Sequence, residues 1–210
     1  MVKGIIFDFD GVIVDSVEIK GEAFREIYTT YGKEISDKVI EHHELNGGVS
    51  RFDKFRFYHN NFLKKEITEN EIQKLSDDFS RIVLNKVIKS PYIGGVLSFI
   101  KKNFLEKNLF ISTATPSDEI EKILLRRQIN DYFTSVYGSP EKKDNHILKI
   151  IKKNRFNEDE LVFIGDSTSD FEAAKKMNVK FILVKNRFNK DLRNSFSGKV
   201  IEDFRNFKIE

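Results

Sequence analysis

The 210-residue chain contains no cysteine, which excludes disulfide bonds, thiol nucleophiles and cysteine-ligated zinc. No apolar run approaches the roughly 20 residues that a membrane span requires, so no membrane partner is expected. A surplus of one charge sign is missing too. The 36 basic side chains face 33 acidic ones, and the resulting +3 lacks the clustered Lys and Arg of a dedicated nucleic-acid binder. The N-terminus, Met-Val-Lys-Gly-Ile-Ile-Phe-Asp, is apolar for too short a stretch to read as a secretory signal, and a cytoplasmic protein is expected. Internal repeats and low-complexity tracts are absent. What the chain does hold is material for a core. Hydrophobic residues make up 40% of it, with 20 Phe among them, enough for one sizeable domain or a modest one carrying an insertion.

Short β-branched or aromatic runs at residues 4–9, 108–113, 133–137, 161–164 and 181–184 read as buried strands. Amphipathic stretches at 94–103, 117–128, 144–153 and 169–177 separate the last four, and one more strand is expected near Val200-Ile201. This alternation predicts an α/β fold: a doubly wound, mainly parallel, Rossmann-like sheet core. From about residue 16 to 88 strand signals are lacking. Val17, Phe24, Ile27, Tyr28 and Tyr31 fall on one helical face, and Ile72, Leu75, Phe79, Ile82 and Lys86 trace another. Thr68 and Glu71 form a capping-box signature before that second run. The expected organisation is an α/β core of residues 1–15 and 89–210 with an inserted all-helical cap domain, residues 16–88.

Ligands of open parallel sheets bind beyond the carboxyl ends of the strands. Asp8 and Asp10 stand there; on a continuing strand both carboxylates project to one side while Phe7 and Phe9 face away. Such a pair suits a nucleophile beside a general acid/base, or a hard divalent cation, and equally a solvated strand end. Gly11 lets the backbone turn or approach a ligand closely. Thr113 closes its strand, and either Thr115 before Pro116 or Ser117 caps the next helix, where backbone amides can bind phosphate oxygens. A lysine in Gly138–Asp144 can neutralise a phosphoryl group or simply be solvated. Asp166 and Asp170, about one helical turn apart, can aim at one cation, or Asp166 and Ser167 can cap a helix.

Taken together, Asp8-Phe9-Asp10-Gly11-Val12-Ile13-Val14-Asp15-Ser16, Phe110-Ile111-Ser112-Thr113, the lysine of Gly138–Lys143, and Gly165-Asp166-Ser167-Thr168-Ser169-Asp170 resemble the four motifs of the haloacid dehalogenase superfamily. The helical insertion resembles its capped members, the phosphoglycolate phosphatase and beta-phosphoglucomutase branch. The resemblance implies a Mg²⁺-dependent phosphatase of a small phosphorylated metabolite, with a sugar phosphate among the candidates. It makes Asp8 the nucleophile of an aspartyl-phosphate, Asp10 the acid/base, and Thr113 and Lys143 the phosphoryl-holding groups, with Lys142 the alternative to Lys143. Mg²⁺ is expected at Asp8, the Asp10 carbonyl, Asp166 and Asp170. Gly48-Val49-Ser50-Arg51 resembles the cap loop that reaches the site. Arg51 is therefore expected on the substrate, with Ala114 and Lys20, and Lys54 as a further candidate. The mutase relatives carry a His where this chain has Lys20, which counts against the alternative of a phosphomutase. A non-catalytic phospho-ligand-binding protein is the other alternative. His42 and His43 are read as a loop or helix end, and Phe52, Phe55, Phe57 and Tyr58 as core of the insertion. A monomer or weak dimer is expected.

Overall fold

Six strands, β1 (Gly4–Phe7), β2 (Asn108–Pro116), β3 (Ser135–Ser139), β4 (Leu161–Gly165), β5 (Lys180–Val184) and β6 (Lys199–Ile201), form one sheet in the computed structural model, which describes residues 1–209. Their order is β3-β2-β1-β4-β5-β6 and every pairing is parallel. Four helices, α1 (Val17–Tyr28), α2 (Lys33–Leu45), α3 (Arg51–Phe57) and α4 (Glu69–Lys89), follow β1, and α5 (Val96–Asn103) leads into β2. The rest alternates: α6 (Ser117–Arg126), α7 (Lys143–Asn154), α8 (Thr168–Lys176) and α9 (Lys190–Ser195).

Parallel strands covered on both faces read as unbroken apolar runs, and the pleat then sends alternate side chains to opposite layers. Ile5, Phe7, Ile111 and Ile164 pack with α5 and α6, whereas Ile6, Phe110 and Phe163 pack with α7 and α8; all seven strand residues are fully buried. The sheet is thus doubly wound and Rossmann-like, as the alternation of runs predicts. Strand order turns around at β1, which puts the ends of β1, β2 and β4 side by side and marks the crevice where a ligand binds.

The helical segment leaves and re-enters the sheet layer through two adjacent stretches. Asp15 N–H donates to the Pro91 carbonyl at 3.0 Å and Ile93 N–H to the Ile13 carbonyl at 3.0 Å. Its interior is aromatic. Phe24 meets Phe79 with ring centroids 4.6 Å apart and Tyr58 edge-on at 5.7 Å, and Phe55 and Tyr58 are fully buried. Phe52 is half-buried, while Phe57 lies on the outside and stacks on His42 at 4.2 Å. Both histidines sit in the last turn of α2. The capping box at Thr68 and Glu71 opens α4. No helix among the described residues is long and apolar enough to cross a membrane.

Three local expectations are corrected. β1 ends at Phe7, because Gly11, with φ of 77°, and the Ile13 N–H to Phe9 carbonyl bond of 2.9 Å curl the chain into a tight loop. β2 runs on to Pro116, three residues past Thr113; Pro116 itself occupies the N-cap position of α6, and neither Thr115 nor Ser117 caps it. Tyr31 falls beyond α1, in a separate 3-10 turn, and is exposed.

Candidate active site

Asp8 directly follows β1, and its N–H extends the ladder by donating to the Ile164 carbonyl at 2.9 Å. Its buried carboxylate lies with those of Asp166 and Asp170 in one cluster, an oxygen from each within 4.8 Å of the others. Asp166 directly follows β4, and Asp170 sits in the first turn of α8. Asp170 Oδ2 accepts from the Asp166 N–H at 3.2 Å and the Ser167 hydroxyl at 2.6 Å, while Ser167 takes the N-cap role. The two readings of this segment, acidic cluster and helix start, therefore coexist. The loops are in direct contact: a Cβ built on Gly11 would lie 2.2 Å from Asp166 Oδ2.

Lys143 opens α7 and is buried, while Lys142 before it is exposed. The Lys143 ammonium donates to Asp8 Oδ2 at 2.9 Å and Asp170 Oδ1 at 2.5 Å. One cation against three buried carboxyls leaves the cluster short of positive charge. Burial pushes the Asp8 carboxyl up to about 7, with Asp170 and Asp10 adding to the push and Lys143 opposing it. Burial and the charges of Asp8 and Asp170 raise Asp166 well above the usual carboxylate range. For Lys143, burial alone would favour the neutral amine, but the attraction of Asp170 and Asp8 outweighs it and holds the ammonium. A donor set made only of oxygens, with unbalanced negative charge, fits a hard divalent cation and not a nitrogen- or sulfur-seeking metal.

Asp10 points its carboxylate elsewhere. Burial penalises its charge, yet the Lys20 ammonium, hydrogen-bonded to Oδ2, together with the Ser16 and Thr115 hydroxyls, lowers its pKa overall. Ser16 donates at 2.6 Å and Thr115 at 3.1 Å, and Lys20 also donates to the Thr115 hydroxyl at 2.8 Å. Thr113, buried within β2, accepts the Thr115 N–H on its hydroxyl at 3.2 Å, which leaves its own hydrogen free to donate. Asp8, Asp10, Lys20, Thr113, Ala114, Arg51 and Asp166 all line one small cavity of about 50 Å³, and Lys143 lines an adjoining groove of about 590 Å³ with Ala114 and Thr113.

Two asparagines of the site escaped sequence reading. Asn186 Nδ2 donates to Asp166 Oδ2 at 2.6 Å, and Asn189 Nδ2 donates to the carbonyls of Asp166 and Val184, both at 2.8 Å. Their signal is positional: they follow the carboxyl end of β5, next to β4, in a basic and mixed stretch that carries no motif.

Arg51 reaches the cavity wall but does not present a free guanidinium. Nη1 and Nη2 form a two-pronged pair with Glu119 of α6 at 2.9 and 2.7 Å, Nη1 also donates to the Ser80 hydroxyl at 2.7 Å, and the guanidinium lies over Phe79 at 4.4 Å. Each partner's side chain is only 4% exposed. The expected substrate contact at Arg51 is in this structure a buried tie between α3, α4 and α6. Truncating one partner strands the other's charge, so Glu119→Ala is expected to cost about 3–5 kcal/mol in urea unfolding. The double change Arg51→Met/Glu119→Leu should recover most of that loss. A single variant within about 0.5 kcal/mol of wild type would mean the pair is no more than a surface bridge.

Comparison with known proteins follows the same lines as the geometry. The profile of the haloacid dehalogenase-like hydrolases matches residues 5–184. The chain is 26% identical over 185 residues to a phosphorylated carbohydrates phosphatase of Thermotoga maritima, covering 86% of this chain and 83% of that protein. It is also 26% identical over 212 residues to a phosphoglycolate phosphatase of Psychrobacter arcticus, covering 95% and 91%. Its fold is similar to that of a beta-phosphoglucomutase from Clostridium difficile, with a TM-score of 0.80 over 100% of this chain and 94% of that one, at 20% identity.

Proposed function

The chain belongs to the haloacid dehalogenase-like hydrolase family, and from that membership we propose that it is a Mg²⁺-dependent phosphatase acting on a small phosphorylated metabolite through an aspartyl-phosphate on Asp8. The observation that carries this reading is the buried cluster of Asp8, Asp166 and Asp170, bridged by the Lys143 ammonium and facing the same cavity as Asp10. The phosphatases named among its relatives support the substrate class.

Asp8, Asp166 and Asp170 would hold the metal with the Asp10 backbone carbonyl, since the Asp10 carboxylate is committed to Lys20, Ser16 and Thr115. The ion would supply positive charge that lessens the repulsion between the Asp8 carboxylate and a phosphate dianion. Asp8 attacks phosphorus, the ester P–O bond breaks, and the departing oxygen takes a proton that Asp10 relays from the Lys20 ammonium bonded to it. Asp10 then accepts a proton from the water that cleaves the acyl phosphate, regenerating Asp8. Lys20 holds Asp10 ionised, the state the second half requires, and its ammonium is a proton source hydrogen-bonded to Asp10 for the first. Thr113 and Lys143 orient and neutralise the phosphoryl oxygens, the Ala114 backbone lies beside them, and residues 16–88 act as the cap that excludes water.

The test is hydrolysis of p-nitrophenyl phosphate with Mg²⁺ and with EDTA, alongside stabilisation by beryllofluoride. Turnover that EDTA abolishes and Mg²⁺ restores is the expected result. Turnover indifferent to EDTA would remove the metal from the reading. Absence of both turnover and beryllofluoride binding would remove the phosphatase.

A further inference from the structure

Three cationic side chains line the cavity above Asp8: Lys20, Arg51 and Lys54. Two have their counter-charges. Lys20 is paired with Asp10 and Arg51 with Glu119. Lys54 is different. It is 1% exposed, its ammonium donates to His43 Nδ1 at 2.9 Å, and among the described residues no carboxylate lies within ion-pair distance of it. An ammonium without a counter-ion inside a protein is costly, so such a group favours its neutral amine until a counter-charge arrives.

The surroundings of Lys54 sharpen the point. His43 is 3% exposed, and burial and the Lys54 charge keep its ring well below its usual pKa, so the ring is neutral and offers a lone pair, not a charge. The Phe24 ring lies 5.5 Å from the ammonium and supplies only a weak electrostatic contact. Burial above all, and then the charges of Lys20 and Lys143, lower the Lys54 pKa well below its usual value. The Lys54 amine therefore lacks a counter-charge, and an anion arriving through the cavity that also holds Asp8 would favour its ammonium form.

We propose that Lys54, oriented by His43, recognises a second negative charge on the non-reacting end of the substrate, a carboxylate or a second phosphate. This rests on the phosphatase reading for the direction in which the substrate lies. It reassigns to Lys54 the role expected of Arg51, whose guanidinium is already satisfied by Glu119 and Ser80.

Calorimetric binding to the Asp8→Asn protein in Mg²⁺ tests the assignment without turnover. The probes are 2-phosphoglycolate, ethane-1,2-diol bisphosphate and the neutral-ended 2-hydroxyethyl phosphate. At least one of the doubly anionic esters should bind about 30-fold more tightly than hydroxyethyl phosphate, in keeping with a charge-assisted hydrogen bond, and which one wins identifies the end group. Adding Lys54→Met or Lys54→Gln should bring that ratio close to one. Both substitutions remove a buried amine that has no counter-charge, so the melting temperature should not fall, which separates lost recognition from lost structure. Equal affinities in the Asp8→Asn parent, or a ratio that survives both substitutions, would overturn the proposal. The wild-type chain tests the phosphatase reading separately: a charge preference with no turnover of these esters or of p-nitrophenyl phosphate and no beryllofluoride binding leaves Lys54 assigned and the reaction refuted.

Discussion

Asp8→Asn is expected to lose on the order of 10⁴-fold or more in kcat while remaining folded, the scale seen when a covalent nucleophile is removed. The amide keeps the shape of the carboxylate, and its oxygen can still accept from Lys143, which bonds Asp8 Oδ2 at 2.9 Å. What it cannot do is form the acyl phosphate. The substitution also has a signature in stability. Asp8 is pushed up to about 7 in the folded protein by burial and its acidic neighbours, so the native state binds this proton more tightly than the unfolded chain does. That contribution is fully present below the unfolded carboxyl's ordinary range near 3.8 and is lost as pH rises through 7. In metal-free buffer the wild type should therefore lose ground to Asp8→Asn by up to about 1.4 kcal/mol per pH unit between pH 4 and 7. Thermal melts of both proteins in EDTA across that range read the difference directly. More than about a tenth of wild-type kcat in the variant, or a gap in stability that does not change with pH, would show that Asp8 is not the nucleophile or not in a crowded acidic site.

Lys143→Met should lower kcat/KM by about 10²–10³-fold, the loss typical of removing one preorganised donor to a developing charge. Among the described residues it also takes away the one ammonium bonded to both Asp8 and Asp170. Breaking a buried pair from one side costs about 3–5 kcal/mol, and at this chain length that is a melting temperature lower by roughly 6–20 °C. Protonation of Asp8 softens the cost, so the drop should be smaller at pH 6 than at pH 8. Mg²⁺ should recover part of it, because the ion replaces missing positive charge in the same cluster. Lys142→Ala is the control. Lys142 is exposed, and its removal should leave stability within about 0.5 kcal/mol of wild type. If the two lysines behave alike, the bond pattern around Lys143 has no functional weight.

The strand runs and the polar residues at their ends were legible because a covered parallel strand must be apolar on both faces and must stop where it meets solvent or ligand. Asp8, Asp166 and Asp170 could be brought together on paper for that reason, and the structure brings them within 4.8 Å. Strand ends were less legible. β2 carries on through Ala114 and Thr115, since its far end pairs with β3 at Pro116 and Ser139 after a shift in register that no residue pattern announces. Partnerships across the chain were least legible of all. Glu119 is one more acidic residue in a helix's first turn until α6 is placed beside Arg51, and His43 is half of an adjacent pair until α3 lays Lys54 on it. Asn186 and Asn189 likewise gain meaning only from the neighbouring β4 loop.

Gly11 sets a dimension. At its φ of 77° and with Asp166 Oδ2 only 2.2 Å from where a Cβ would stand, the backbone of the loop after β1 sits directly against the Asp166 side chain of the loop after β4. The gauge of the acidic cluster is thus the width of a missing methyl group. Neither loop can be retuned without moving the other, so the reacting end of the cavity comes as a single fixed part. The opposite wall is pinned in the same way only at Gly48, where a Cβ would lie 2.0 Å from Ser169 Oγ; variation in what the cavity admits has its room in the side chains of α1, α3 and α4.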